Sequence, residues 1–287
     1  MMGERWLQAG AFVAGILILA LAVNECERST EAKMTDTVNI LYLHHSTGKN
    51  VWMGAVSRWI YRVNRQGAVE RYLAAANQKN GTNYQAQPRV FPQKEPYGWH
   101  NYPYDYWNIW VNHAGVTPYR EEPTLEIISQ QGFDVVSLKH CYPVCHIKED
   151  PENPAIDSPY RCIANYKLQY NALKKKMRQF PHIKFIVWTG AAMAHNPNAE
   201  DAARRAREFF QWVRDEWDEA GDNIFIWDFY ELETQGGLFM KDDYCREPGN
   251  SHPSREFSDT AARLFARRLI DVVEGRGDDT PKTGGRS

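Results

Sequence analysis

Five short apolar runs, separated mostly by helix-like patterns, do most to limit what this chain can fold into. They are Val38 to His44, Arg89 to Phe91, Phe133 to His140, Ile183 to Thr189 and Asn223 to Tyr230, the second being the weakest. Runs that are apolar on both faces predict strands covered on both sides, as in a parallel sheet. The segments between them supply crossover helices. Ala199 to Ala220 opens on acidic Glu200 and Asp201, which suit a helix N-terminus. It carries Ala203, Phe209, Phe210, Trp212, Val213 and Trp217 on one broad apolar face. Tyr160 to Phe180 has the same character and is ended by Pro181, and a last helix over Arg255 to Glu274 stops at Gly275. This β-α alternation predicts an α/β fold, a three-layer α/β/α sandwich with a mainly parallel five-stranded sheet over residues 38–274.

A length of 287 residues, 43% of them hydrophobic and 24% charged, suits one large domain. A formal charge of -2 with no long basic run gives no reason to expect a nucleic-acid partner. After Arg5, Trp6 to Val23 are almost entirely apolar, as in a signal-peptide core or a membrane anchor, and Ala20-Leu21-Ala22 is a small-x-small cleavage site. Residues 24–37 then read as a polar tether, and residues 275–287, rich in Gly, Asp and Thr, as a disordered tail. The expectation is export to a bacterial periplasm or cell envelope, with membrane contact only through residues 6–23.

Setting Cys26 aside, Cys141, Cys145, Cys162 and Cys245 are even in number. They predict two disulfides in one of three pairings, in keeping with export. A zinc site competes less well, because Cys141 and Cys145 lack the two-residue gap and the repeated pair of a zinc knuckle. A metal set of His45, His140, Cys141 and His252 is a further competing reading. No cofactor is expected.

In open parallel sheets, ligands bind beyond the carboxyl ends of the strands. Residues just after the strands therefore form one candidate rim: His44, His45 and Ser46; His140, Cys141 and Tyr142; Gly190 to His195; and Glu231 onward. The loop "REPGNSHPSREF" before the last helix reaches the same rim, so Ser46 and His252 can meet there. A serine becomes a useful nucleophile when an imidazole takes its proton and a third group holds that imidazole. Bland explanations compete, since Ser46 suits a helix N-cap and His252 before Pro253 suits a turn. Successive strand residues point to opposite faces, so at most one of His44 and His45 lies beside Ser46.

With "HHSTG" directly after the first strand and "SHP" just before the last helix, residues 38–273 resemble the SGNH, or GDSL-like, hydrolase superfamily. The resemblance implies a flavodoxin-like sandwich in which Ser46 attacks an ester and His252 is the base. The departures are specific. His45 stands where the usual motif has Asp, Gly249 stands three positions ahead of His252 where the orienting Asp belongs, and "SLKHCYP" lacks the Asn that donates to the oxyanion. Asn250, Gly48, Lys139 and His140 are the candidates to orient His252 or serve the oxyanion, with a main-chain carbonyl, Asp242 or Asp243 as alternative orienting groups and backbone amides near Ser46 as further oxyanion donors. Gly48 would also let a substrate approach the backbone closely. The aromatic stretch "YGWHNYPYDYWNIW" offers Trp99, Tyr104 and Trp107, with His45, as substrate contacts, because ring faces bury well against sugars. Its bland reading is an insertion with its own small core. The expected activity is removal of small O-acyl groups, O-acetyl above all, from a carbohydrate or another small ester. The alternatives are an inactive glycan-binding module and an O-acyltransferase.

Overall fold

The computed structural model describes residues 36–64, 66–98 and 100–285. The expected signal peptide or anchor, almost all of the tether, and Trp99 lie outside the described residues. Among those described, no helix is long and apolar enough to cross a membrane.

Strands β1 (Val38–His44), β2 (Tyr84–Val90), β3 (Val135–Leu138), β4 (Lys184–Trp188) and β5 (Ile224–Trp227) form one parallel sheet in the order β2-β1-β3-β4-β5. Their side chains alternate between two cores. Tyr42, Ile186, Trp188 and Trp227 face one core, shared with helices α1 (Thr47–Met53), α2 (Arg58–Asn64) and α3 (Ala68–Asn80). Leu41, Leu43, Val136, Val187 and Ile226 face the other, covered by α4 (Pro103–Trp107), α5 (Leu125–Ser129), α6 (Ile163–Met177) and α7 (Glu200–Trp212). A short α8 (Phe229–Thr234) follows β5, and the last helix, α9 (Arg255–Val273), returns to the first core. The exchange of faces follows from topology. The chain steps one way from β1 to β2 and the other way thereafter, so crossovers of constant hand fall on opposite faces. The expected three-layer α/β/α sandwich is the observed one.

Strand β2 is longer than the expected Arg89 to Phe91 and begins at Tyr84. It was hard to read because it lies at the sheet edge, where "YQAQPRV" tolerates polar residues and Pro88. The expected helix over 199–220 also changes character, ending in a π-helical turn at Val213–Trp217.

Two expectations are corrected. The four described cysteines are free thiols, not disulfides. Three of them are engaged locally: Cys145 donates to Tyr142 O at 2.7 Å, Cys162 accepts from Asn165 N at the start of α6, and Cys245 contacts Met240 Sδ at 3.5 Å. Cysteine pairing therefore lends export no support. Residues 275–285 pack on the body instead of forming a disordered tail. Fully buried Arg268 donates to Gly277 O, Trp227 Nε1 donates to Thr283 O at 3.0 Å, and Lys282 pairs with Asp218 at 2.8 Å. A composition-based reading misses this because the partners of that polar segment come from distant helices and β5.

Candidate active site

The order of the strands places a switch point between β1 and β3, where the chain leaves β1 toward β2 and later resumes on the other side. Ser46 follows β1 at this point. It has φ 32° and ψ -97°, a left-handed backbone that is uncommon for a non-glycine residue. Such outliers cost ~1–3 kcal/mol and gather at functional sites. Although Ser46 occupies the N-cap position of α1, its side chain makes no capping hydrogen bond. Its Oγ lies 2.7 Å from His252 Nε2 instead.

His252 reaches Ser46 on a tied-down loop. The Arg246 amide donates to His252 O at 2.9 Å, Ser254 N donates to Tyr244 O at 2.7 Å, and Cys245 bridges Pro253. Ser251 Oγ accepts from Ala194 N at 3.0 Å, joining the loop to the segment that follows β4. Ser254, not His252, caps α9, accepting from Phe257 N at 3.2 Å. Neither bland explanation is needed for these two side chains.

Asn250 holds the imidazole. Its Oδ1 lies 2.9 Å from His252 Nδ1 and accepts the His252 backbone N–H at 3.0 Å, while its Nδ2 donates to Glu247 Oε1 at 2.8 Å. A backbone N–H requires an acceptor and a carboxylate requires a donor, so the amide orientation is fixed by its neighbours. Nδ1 must then carry the imidazole proton, leaving Nε2 to accept from the Ser46 hydroxyl. Burial lowers the His252 pKa below its usual value, and the nearby cations Arg246 and Lys139 lower it further. The neutral base is thus the dominant form at neutral pH.

Gly249, at the position of the missing carboxylate, has φ 76° in the turn closed by Asn250 N to Glu247 O. An aspartate there would be strained, and Asn250 takes over the contact. Asp242 and Asp243 sit in a separate exposed turn. An Asp at position 250 would face Glu247 across the present 2.8 Å contact, setting two carboxylates together. The expected result is that Asn250→Asp brings no gain in kcat/KM, and that adding Glu247→Gln, which restores a donor, raises that variant about tenfold. Steady-state kinetics over the four proteins of the cycle checks this; Asn250→Asp outperforming the parent would contradict it.

The amide of exposed Ser46 donates to no protein group among the described residues, whereas that of Gly48 donates to His45 O at 2.8 Å and Thr47 is fully buried. One N–H at the head of α1 is therefore left beside the Ser46 hydroxyl, where an oxyanion would form.

Other candidates take different positions. Gly48 faces inward and does not open the backbone to substrate: a Cβ there would lie 2.4 Å from Tyr42 Oη and 2.7 Å from His44 Cβ. Gly48→Ala is expected to cost ~1–3 kcal/mol by overpacking and to lower Tm by roughly 2–12 °C, which thermal unfolding will check. Lys139 is fully buried beneath α1 with its ammonium committed to His140 O, and His140 is buried against Tyr170 Oη at 2.8 Å. Neither presents a donor at the surface beside Ser46. His45 is buried with Nε2 2.6 Å from Pro92 O, so it is not a substrate contact. His45, His140 and His252 point at three different partners, and among the described residues no cluster of metal-ligating side chains is present.

The aromatic stretch neither stands open to substrate nor builds a small core of its own; it joins the core on one face of the sheet, with Leu41, Leu43 and Phe91. Tyr106, Ile109 and Trp110 are fully buried, Trp107 is buried with them, and Tyr104 is half-buried against Trp107 at 5.7 Å. Trp107 is thereby removed as a substrate contact, and Tyr104 belongs to the packing. Glu247, which holds Asn250, is not singled out by the sequence, whereas Tyr142, expected on the candidate rim, places its ring 6.2 Å from the His252 ring. The only sequence signal for Glu247 was its place three residues before Asn250 in a turn.

The fold and this site define a serine–histidine pair on the carboxyl edge of an α/β/α sandwich, the arrangement that the resemblance to SGNH hydrolases implies, with Asn250 in place of the orienting Asp. No protein-family model matches the chain, and no curated protein sequence matches it. Solved structures similar to it include a lipase from a goat rumen metagenome, at 14% identity and TM-score 0.48, covering 82% of this chain and 97% of that one. A proposed acylhydrolase from Bacteroides fragilis shares 11% identity at TM-score 0.45, covering 87% of this chain and 94% of the other. A GDSL-like lipase from Bacteroides thetaiotaomicron shares 11% at TM-score 0.44, covering 88% and 98%.

Proposed function

We propose that this chain is a serine esterase of the SGNH type that removes small acyl groups, O-acetyl above all, from a carbohydrate or similarly polar alcohol. The observation that carries the reading is the 2.7 Å contact of Ser46 Oγ with His252 Nε2, backed by Asn250 at 2.9 Å from Nδ1. In the proposed reaction Ser46 Oγ attacks the acyl carbon while its proton passes to Nε2. The Ser46 amide receives the developing oxyanion. The imidazolium returns the proton to the leaving alkoxide, and a water deprotonated by His252 then releases the acid from Ser46. A sugar hydroxyl in place of that water would make the reaction an acyl transfer.

The surroundings support a small acyl group. The cleft lined by Tyr142, Glu247, Gly249, Asn250 and His252 holds about 480 Å³ and is mostly polar, whereas a long acyl chain calls for an apolar groove. Export through residues 6–23 is part of the proposal on sequence grounds, and intact mass of the protein recovered from the cell envelope tests it. For the activity itself, the purified chain should release acetate from 4-nitrophenyl acetate and from an acetylated polysaccharide. No release from either, with the glycan still bound, would favour the inactive binding module.

The titration of His252 sets the pH dependence. Because its conjugate acid is destabilised by burial and by Arg246, the acid limb of kcat/KM is expected to have its midpoint below the ordinary histidine value of ~6.5. Arg246→Gln removes one repelling cation and should move that midpoint upward. A pH–rate series on both proteins decides this, and an unshifted or lower midpoint in the variant would count against it.

A further inference from the structure

Beside the Ser46–His252 pair lies a second, larger cleft of about 730 Å³. Lys49, Arg62, Arg246 and Arg255 line it together with Asn50 and Tyr61, and no Asp or Glu is among its lining residues. Its walls are continuous with the site. Lys49 and Asn50 belong to the first turn of α1, where their amides donate to Ser46 O at 2.9 and 3.3 Å. On the other side Arg246 donates its amide to His252 O at 2.9 Å, and the lining residue Pro253 directly follows His252.

Four cations in one cleft stand out in a chain whose net charge is -2. None of the four forms an ion pair among the described residues, although ten such pairs hold lysines and arginines elsewhere. Arg246 reaches only the neutral Asn50 Oδ1 at 3.3 Å, and Arg255 only the carbonyl of Ala55. A carboxylate behind the floor, Asp259, is already held by Tyr72 Oη at 2.7 Å and Ala55 N at 3.2 Å. Like charges gathered without counter-charges repel one another, and an anion brought among them relieves that repulsion. The cleft that His252 itself lines contains Glu247 and no Lys or Arg, so the two clefts next to the pair differ in charge.

We infer that this basic cleft binds an oxyanionic group, a carboxylate, sulfate or phosphate, carried by the leaving alcohol of the ester. The assignment to the alcohol rests on the esterase reading above, because an acetyl group has no room for a charge. Arginine suits the task, since its planar guanidinium pairs with two oxygens of such a group at once. The substrate class is thereby narrowed from acyl esters of polar alcohols to acyl esters of acidic ones.

The test uses the full chain and two matched ligand series. Binding of 4-hydroxybenzoate, 4-hydroxybenzenesulfonate and 4-hydroxyphenyl phosphate is compared by calorimetry with that of neutral 4-hydroxybenzamide, and hydrolysis of 4-acetoxybenzoate with that of 4-acetoxybenzamide. The anions are expected to bind at least about tenfold more tightly than the amide, the size of one charge-assisted contact, and their ranking identifies the group. That preference should fall toward one in the Arg62→Gln/Arg255→Gln double variant. It should also weaken in the unmodified protein between about 0.02 M and about 0.5 M salt, which needs no altered side chain. Equal binding of anion and amide, or a preference indifferent to both the substitutions and salt, overturns the proposal. Anion-selective binding with no hydrolysis of either acetate ester upholds the cleft and overturns the esterase reading instead.

Discussion

Replacing Ser46 by alanine is expected to lower kcat/KM toward 4-nitrophenyl acetate by at least ~10³-fold, or ~4 kcal/mol of transition-state stabilisation. The reasoning starts from the backbone. Ser46 lies at φ 32° between β1 and α1, with its hydroxyl kept off the helix amides and turned to His252 Nε2 at 2.7 Å. A residue whose only task was to cap α1 would spend that hydroxyl on the first turn. Losing a cap of that kind would cost stability, not activity. Ser46→Ala should therefore leave Tm nearly unchanged while the rate collapses, and thermal unfolding beside steady-state kinetics separates the two accounts.

A loss of similar size is expected for His252→Ala, about 10³-fold or more, because an unassisted serine hydroxyl is a poor nucleophile near neutral pH. The double variant Ser46→Ala/His252→Ala should be barely worse than either single one, since the two groups act as a unit. Additive losses would mean that the residues serve separate purposes. His252 carries no cap and its loop is fastened through the backbone and Ser251, so its removal should also leave folding largely intact.

Much of the fold was legible because it follows from local periodicity. β1 begins and ends at the residues its apolar run names, and α9 departs from expectation by one residue. Legibility failed where distant parts of the chain decide the outcome. The edge position of β2 makes a polar stretch into a strand, and the burial of Arg268 under residues 277–280 turns an apparent tail into part of the fold. The cysteines show the limit of counting, since an even number says nothing about whether thiols meet.

The Ser46–His252 pair could be anticipated because topology brings the end of β1 and the start of α9 to one edge of the sheet. The groups around it could not be ranked. Asn250 was one of several orienting candidates, and its selection depends on the left-handed turn at Gly249 and on Glu247 behind it. Gly48, Lys139 and His140 had suitable chemistry and the wrong direction, each turned into the core. The aromatic stretch near Trp107 fits neither a glycan platform nor a core of its own, because Tyr106, Ile109 and Trp110 pack into the core shared with the sheet. The basic cleft was invisible to the sequence because Lys49, Arg62, Arg246 and Arg255 come from two ends of the chain and leave no basic run.

The central claim is that Ser46 is an activated nucleophile, and a serine-directed fluorophosphonate tests it without assuming any substrate. Intact-mass and peptide-level spectrometry of the labelled chain should show a single adduct at Ser46, formed much more slowly in His252→Ala and absent in Ser46→Ala. A wild-type protein that labels no faster than Ser46→Ala, or that carries its adduct on another residue, would contradict the account.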